Sequence, residues 1–246
     1  MEVIKICKVK KYFKQKSDTI RAVDDVSFTI QENELFGLLG VNGAGKSTLI
    51  KMIAGLMKPT EGHIVCFDKD SYQEMEEVKK MINVSFQETA IAEKLTVYEN
   101  LLFMAEIYGA KKEEAIQKVD AIIEEFDLQD VKKQLAKTLS GGYQRRLSIA
   151  MALITSPKIL ILDEPTLGLD VLARRELWHM IEKLKQKMTI LLTTHYLEEA
   201  ESLCDRIAIM VKGHLMAVGT VEELKQIGQN DKFEEAFVQI VTKGVN

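Results

Sequence analysis

The residues best suited to chemistry lie in the stretch Gly40-Val41-Asn42-Gly43-Ala44-Gly45-Lys46-Ser47-Thr48. Glycines at 40, 43 and 45 let the backbone fold back, so that successive N–H groups point at one spot. Lys46 adds a point charge for outer phosphates, Ser47 a hydroxyl for magnesium, and Thr48 a donor at the phosphate rim. Asn42 and Ala44 complete the loop. A second set, Asp163-Glu164, ends an apolar run. Asp163 suits a hydrated divalent cation, and Glu164 suits a general base that polarises an attacking water. Ser140-Gly141-Gly142 precedes an amphipathic run and reads either as a simple helix cap or as a second phosphate-binding surface. Gln87 and His195 each follow an apolar run, where a lone polar side chain says little by itself. Asp170 suits a helix cap, and Tyr12 either stacks on a flat ring or packs locally.

These groups need particular elements beneath them. Residues 35–39 are a continuous apolar run and an amphipathic run starts at Leu49, which predicts strand, loop and helix, the context the Walker A spacing requires. Residues 159–163 and 188–194 read as parallel strands buried on both faces, and residues 81–87 as a strand delivering Gln87. All would end at one carboxyl edge, where open α/β sheets place their ligands. Residues 3–9 and 26–30 alternate like antiparallel strands joined by a polar connection. His63 is expected to be an ordinary residue of a strand over 63–67.

Between the strands the pattern turns helical. Thr96 and Glu99 form a capping box for a helix through Tyr108 that Gly109 stops, and Ala115, Val119, Ile122, Ile123 and Phe126 mark another. A helix opened by Ser140 carries Leu147, Ala150, Met151 and Ile154. This predicts an inserted helical lobe. Residues 206–211 and 214–218 read as a hairpin over Lys212-Gly213, Thr220 and Glu223 as a second capping box, and residues 233–238 as the close of a short tail.

With 46% hydrophobic and 28% charged residues over 246 positions, the chain can bury a sizeable core in a single domain. The net charge of −4 argues against nucleic acid as a partner. Cys7, Cys66 and Cys204 are too scattered for a metal pair and read as small core residues. No apolar run is long enough to span a bilayer, and Met1-Glu2-Val3-Ile4-Lys5 carries no secretory pattern, so a cytoplasmic chain is expected.

Taken together, Lys46 with its loop, Gln87, Leu139-Ser140-Gly141-Gly142, Asp163-Glu164, Leu169-Asp170 and His195 come in the order of an ABC-transporter nucleotide-binding subunit. The chain resembles that family over nearly its whole length. The resemblance implies an α/β P-loop NTPase core of mainly parallel sheet with antiparallel strands (about 1–90 and 156–219), a helical lobe (about 91–155) and a short tail (about 220–246). It implies ATP and Mg2+ as cofactors, with Gln87 joining Ser47 and Asp163 around the metal. Tyr12 becomes the adenine-stacking aromatic, His195 a γ-phosphate contact, and Gln87 the sensor that couples phosphate to a membrane partner. Ser140, Gly141 and Gly142 would grip ATP held by a second subunit, in a homodimer or heterodimer, with Asp170 at the seam. One departure is that Tyr143 stands where the family has glutamine, with Gln144 one place on.

The expected partner is an integral membrane permease, which the chain would serve as a peripheral ATPase on the cytoplasmic face. The short tail is similar to those of the antibiotic-resistance and sodium-exporting branch. An ABC ATPase acting on DNA or the ribosome is the alternative, though the coiled-coil insertion, zinc motif or doubled cassette usual there is not seen. For the permease contact, Ile91 and Leu95 read equally as exposed anchors or as lobe core.

Overall fold

The computed structural model describes residues 1–15 and 18–243. The chain runs β1 (Glu2–Gln15), β2 (Asp18–Gln31), β3 (Leu35–Leu39), α1 (Lys46–Ile53), β4 (Glu61–Cys66), β5 (Lys69–Asp70), α2 (Met75–Val78), β6 (Ile82–Ser85), α3 (Val97–Ile107), α4 (Lys112–Glu125), α5 (Gly141–Leu153), β7 (Ile159–Asp163), α6 (Val171–Lys185), β8 (Thr189–Thr194), α7 (Leu197–Leu203), β9 (Arg206–Val211), β10 (His214–Gly219), α8 (Val221–Gly228) and α9 (Phe233–Lys243).

Strands β3, β7 and β8 are buried at every position, as continuous apolar runs require. They form the middle of a six-stranded sheet ordered β10-β9-β3-β8-β7-β6. All its pairs are parallel except β9 with β10. The carboxyl ends of β3, β6, β7 and β8 therefore meet at one edge. A second sheet, β2-β1-β4-β5, is antiparallel throughout. Its inner residues, among them Ile4, Ile6, Val26 and Ile30, pack with Phe36 and Leu38 of β3 and with Leu49, Ile50 and Ile53 of α1.

The expected polar connection between the first two strands is instead a continuation of both. They pair through Tyr12↔Arg21 and Phe13↔Ile20, past register shifts near Val9 and Lys11. The outer half of β2 is exposed on both faces, so no alternation marks it as strand. His63 does sit in a strand, opposite Cys7.

Helices α3, α4 and α5 share a core of Val97, Leu101, Ala115, Val119, Ile123 and Leu147, all buried. The capping box at α3 is complete: the Thr96 hydroxyl accepts from Glu99 N at 3.2 Å and the Glu99 carboxylate accepts from Thr96 N at 2.7 Å. The Thr220–Glu223 box opens α8 in the same way. Beyond it the expected short tail becomes a three-turn helix, because Phe233, Ala236 and Ile240 all face a core shared with Leu39 and Leu224. Residues 244–246 of that tail lie outside the described residues. Among the described residues no helix is long and apolar enough to cross a membrane.

Candidate functional site

Leaving β3, the chain turns at Gly40 and enters α1 at Gly45, whose φ is +101°. A Cβ on Gly45 would lie 2.2 Å from the Ala22 carbonyl oxygen, and one on Gly40 would lie 2.4 Å from that of Met210. Glycine is thus required by contact with β2 and β9 as well as by conformation. At Gly43, φ +82°, nothing lies within 4 Å, so that side of the loop is open. No side chain caps α1, leaving its first-turn N–H groups aimed at the opening. A cavity of about 430 Å³ lies there, lined by Asn42 to Thr48 with Arg21, Gln87, Glu164 and Lys212.

The buried Lys46 ammonium donates to Gly40 O at 2.6 Å and pairs with Glu164 Oε1 at 3.2 Å. The other Glu164 oxygen meets His195 Nδ1. Glu164 therefore lies between a lysine from α1 and a histidine from the end of β8. Its φ is +49°, an uncommon backbone state for a residue with a side chain. Thr193 holds it there: Glu164 N donates to the Thr193 hydroxyl at 3.1 Å, and that hydroxyl donates to Asp163 Oδ1 at 2.6 Å. One threonine on β8 thus fixes both carboxylates at the end of β7.

Asp163, Ser47 and Gln87 line a neighbouring cleft. Among the described residues no cluster of three histidine, cysteine or acidic side chains could hold a metal. A carboxylate, a hydroxyl and an amide together suit magnesium, which keeps several waters and takes further oxygens from phosphates. The donors thus fit a cation that arrives with a nucleotide, and the open loop fits a phosphate chain.

Tyr12 stands outside the cavity lining. Its hydroxyl donates to Asp24 Oδ1 at 2.6 Å, and the Arg21 guanidinium lies 5.6 Å from its ring centroid. Arg21 thus occupies one face of the ring expected to stack on adenine. Ser140 caps α5, accepting from Tyr143 N at 3.5 Å, and remains exposed with Gly141 on the lobe surface. Tyr143, in the glutamine position, lies with its ring 5.2 Å from the Arg146 guanidinium. Asp170 caps α6, accepting from Leu172 N and Ala173 N at 2.9 and 3.0 Å. Gly142 faces the start of α6, where a Cβ would come 3.1 Å from Ala173 Cβ. Of the sequence-derived residues, the loop, Gln87, Asp163, Glu164 and His195 converge, whereas Tyr12, Ser140–Gly142 and Asp170 stand apart.

One residue that sequence reasoning passed over ties these parts together. Arg145 of α5 is buried and donates to three backbone carbonyls: Phe86 O at 2.6 Å, Asp163 O at 2.8 Å and Pro165 O at 2.9 Å. Burial pulls its guanidinium down to about 10, with Asp163 and Glu199 opposing the shift. It therefore stays cationic at neutral pH, linking the helical lobe to the segments before Gln87 and on either side of Glu164. Its spacing on a helix gives no local signal, since basic residues usually mark a solvated face.

Residues 23–167 match the family model described as ABC transporter. The chain is 37% identical to the "Probable multidrug ABC transporter ATP-binding protein YbhF" of Escherichia coli over 233 residues, covering 92% of this chain but 40% of that protein. It is also 37% identical over 240 residues to the linearmycin resistance ATP-binding protein LnrL of Bacillus subtilis, covering 97% of this chain and 74% of that one. In three dimensions it is similar to a dimeric ATP-binding cassette in a post-hydrolysis state bound to ADP and Pi. The TM-score is 0.80 at 26% identity, over 88% of this chain and 98% of the other. By the cassette fold, by the loop and carboxylates gathered at one sheet edge, and by these matches, the chain belongs to the ABC transporter family.

Proposed function

We propose that the chain is the ATP-hydrolysing subunit of an ABC transporter, dimerising around two ATP molecules to drive a separate membrane permease from its cytoplasmic face. The observation that carries this reading is Glu164 held between Lys46 and His195 at the mouth of the open loop. ATP and Mg2+, when bound, supply the transferable phosphoryl group and the charge that neutralises it. Lys46 and the loop N–H groups bind the phosphates, while Ser47, Asp163 and Gln87 hold the metal. Glu164 takes the proton of the attacking water, and His195 keeps that carboxylate aimed. Ser140 and Gly141, exposed on the lobe with the half-buried Gly142 behind them, are free to reach a nucleotide on a second subunit. The dimeric, ADP-bound neighbour supports that arrangement.

Export is favoured by LnrL, a resistance protein that the chain matches over most of both lengths. For the permease contact, Ile91 is half-buried against the lobe core, whereas Phe103, Ile107 and Tyr108 are exposed. The α3 surface is therefore the better docking face. The deciding experiment compares wild type with Glu164→Gln. The variant should bind MgATP normally, hydrolyse it about two to four decades more slowly and accumulate as a dimer by light scattering. Wild-type turnover in the variant would remove Glu164 from the role.

A further inference from the structure

Behind the cleft, three elements converge on one carboxyl group that the chemistry above leaves unused. Glu199 of α7 lies four residues after His195 and is 0% exposed. Trp178 Nε1 of α6 donates to its Oε1 at 3.0 Å, while Oε2 has no partner. Facing it is Thr166, also 0% exposed, in the loop that runs from Glu164 to Asp170; its hydroxyl is likewise without a partner. On the third side is Thr194, the last residue of β8, whose hydroxyl accepts from Tyr196 N at 2.9 Å.

Among the described residues three buried side-chain polar atoms lack partners: Glu199 Oε2, Thr166 Oγ1 and Arg174 Nε. Arg174 lies over the Tyr196 ring, 4.9 Å from its centroid, beside His195. The unsatisfied groups are thus gathered at a single joint, between the loop that follows Glu164 and the turn that carries His195. Burial pushes the Glu199 carboxyl up; Thr194, Thr166 and Trp178 pull it down, and nearby Glu164 adds to the rise. A buried carboxyl is costly, and packing alone would be served better by an apolar side chain.

We propose that Glu199 is a positioning residue, a buried brace that holds the loop carrying Glu164 and Asp170 in register with the strand end carrying His195. The brace works on two sides: Trp178 anchors one carboxyl oxygen, and the other faces the Thr166 hydroxyl. Thr193 ties Glu164 itself to β8 and Arg145 holds Pro165; without the brace the rest of that loop and the turn carrying His195 would shift by a fraction of an ångström. Such a shift would part Glu164 from His195 without touching the phosphate loop. The brace rests on the hydrolytic reading of the site, and it acts on turnover rather than on nucleotide affinity.

The test uses the purified full chain and its MgATP hydrolysis, with E199A, E199Q and T166V. Misplacing a catalytic pair by about 1 Å costs on the order of 100-fold. E199A and T166V should therefore lower kcat by about 10- to 100-fold, with KM for MgATP within about 3-fold of wild type. Glutamine supplies an acceptor for Trp178 and a donor for Thr166, so E199Q should keep kcat within about 3-fold of wild type. Trp178 is the sole tryptophan of the chain. Its emission should shift in E199A and return in E199Q. An unchanged kcat in folded E199A, an equal loss in E199Q, or a loss that falls on KM would each overturn the brace. Should E199A fail to fold, the near-isosteric T166V decides, and wild-type kcat there overturns it. If wild type itself shows no Glu164-dependent hydrolysis, the proposed function fails instead; an active wild type with equally active E199A or T166V refutes the brace alone.

Discussion

Replacing Arg145 by methionine probes the link between the helical lobe and the site. Three carbonyls, of Phe86, Asp163 and Pro165, accept from this one guanidinium. Hydrogen bonds to a charged donor contribute about 1.5–3 kcal/mol each, and a buried acceptor left without a donor costs about 1–3 kcal/mol. Against this stands the burial of the cation. A guanidinium drawn down from its ordinary value to about 10 carries an unfavourable burial on the order of 3 kcal/mol. Methionine avoids that cost while filling much of the same space. The carbonyls outweigh it, and the expected net loss is about 2–5 kcal/mol, in the range seen when buried charged networks are broken. Urea unfolding of wild type, Arg145→Met and Arg145→Lys measures it. Lysine can reach one carbonyl but cannot fork, so it should recover only part of the loss. Stability of Arg145→Met within about 0.5 kcal/mol of wild type, the range of ordinary surface substitutions, would refute the reasoning.

Three further outcomes follow from the geometry. Gly45→Ala places a Cβ 2.2 Å from Ala22 O at a φ of +101°, so it should lose about 1–3 kcal/mol in urea unfolding together with retention of nucleotide on a filter. Ser140→Arg should leave nucleotide binding by the single chain intact and abolish ATP-driven dimerisation by light scattering; a normal dimer would contradict the shared site. Tyr12→Phe removes the largest cause of the lowered Asp24 carboxyl, a hydrogen bond to which Arg21 adds. A carboxyl whose folded pKa is depressed stabilises above its unfolded value, and the effect fades as pH falls through the folded one. The melting-temperature gap between wild type and Tyr12→Phe should therefore be full at pH 7 and shrink at pH 3.

Features carried by neighbours in the chain were legible in advance. The glycine loop, the two capping boxes and the all-apolar strands each rest on contacts within a few residues or on one unbroken pattern. Other features depend on burial that only the fold supplies. Arg145 lies in a run of polar side chains, and nothing near it in sequence says that three carbonyls will close around it. Glu199 sits among Glu198 and Glu201, which reads as a solvated acidic face; it is buried, and the groups that meet it, Trp178 and Thr166, are distant in the chain. The outer hairpin was missed for the opposite reason, since an exposed ribbon has no apolar alternation to reveal it. In the last helix, Phe233, Ala236 and Ile240 carried a helical spacing, but a single short stripe does not distinguish a docked helix from a tail.

The strand order also governs when the phosphate loop can exist during synthesis. Leu39 pairs with Thr194 on one side and Ile209 on the other. Both neighbours are made about 150 residues after the loop, on the order of 10–30 s later at ordinary elongation rates. During that interval β3 has two unpaired apolar edges, whereas α3, α4 and α5 can already gather around Val97, Val119 and Leu147. The newly made chain can therefore bring its lobe helices together while its catalytic half waits for β8 and β9. A ribosome stalled before residue 190 would display the complete loop sequence and bind no nucleotide.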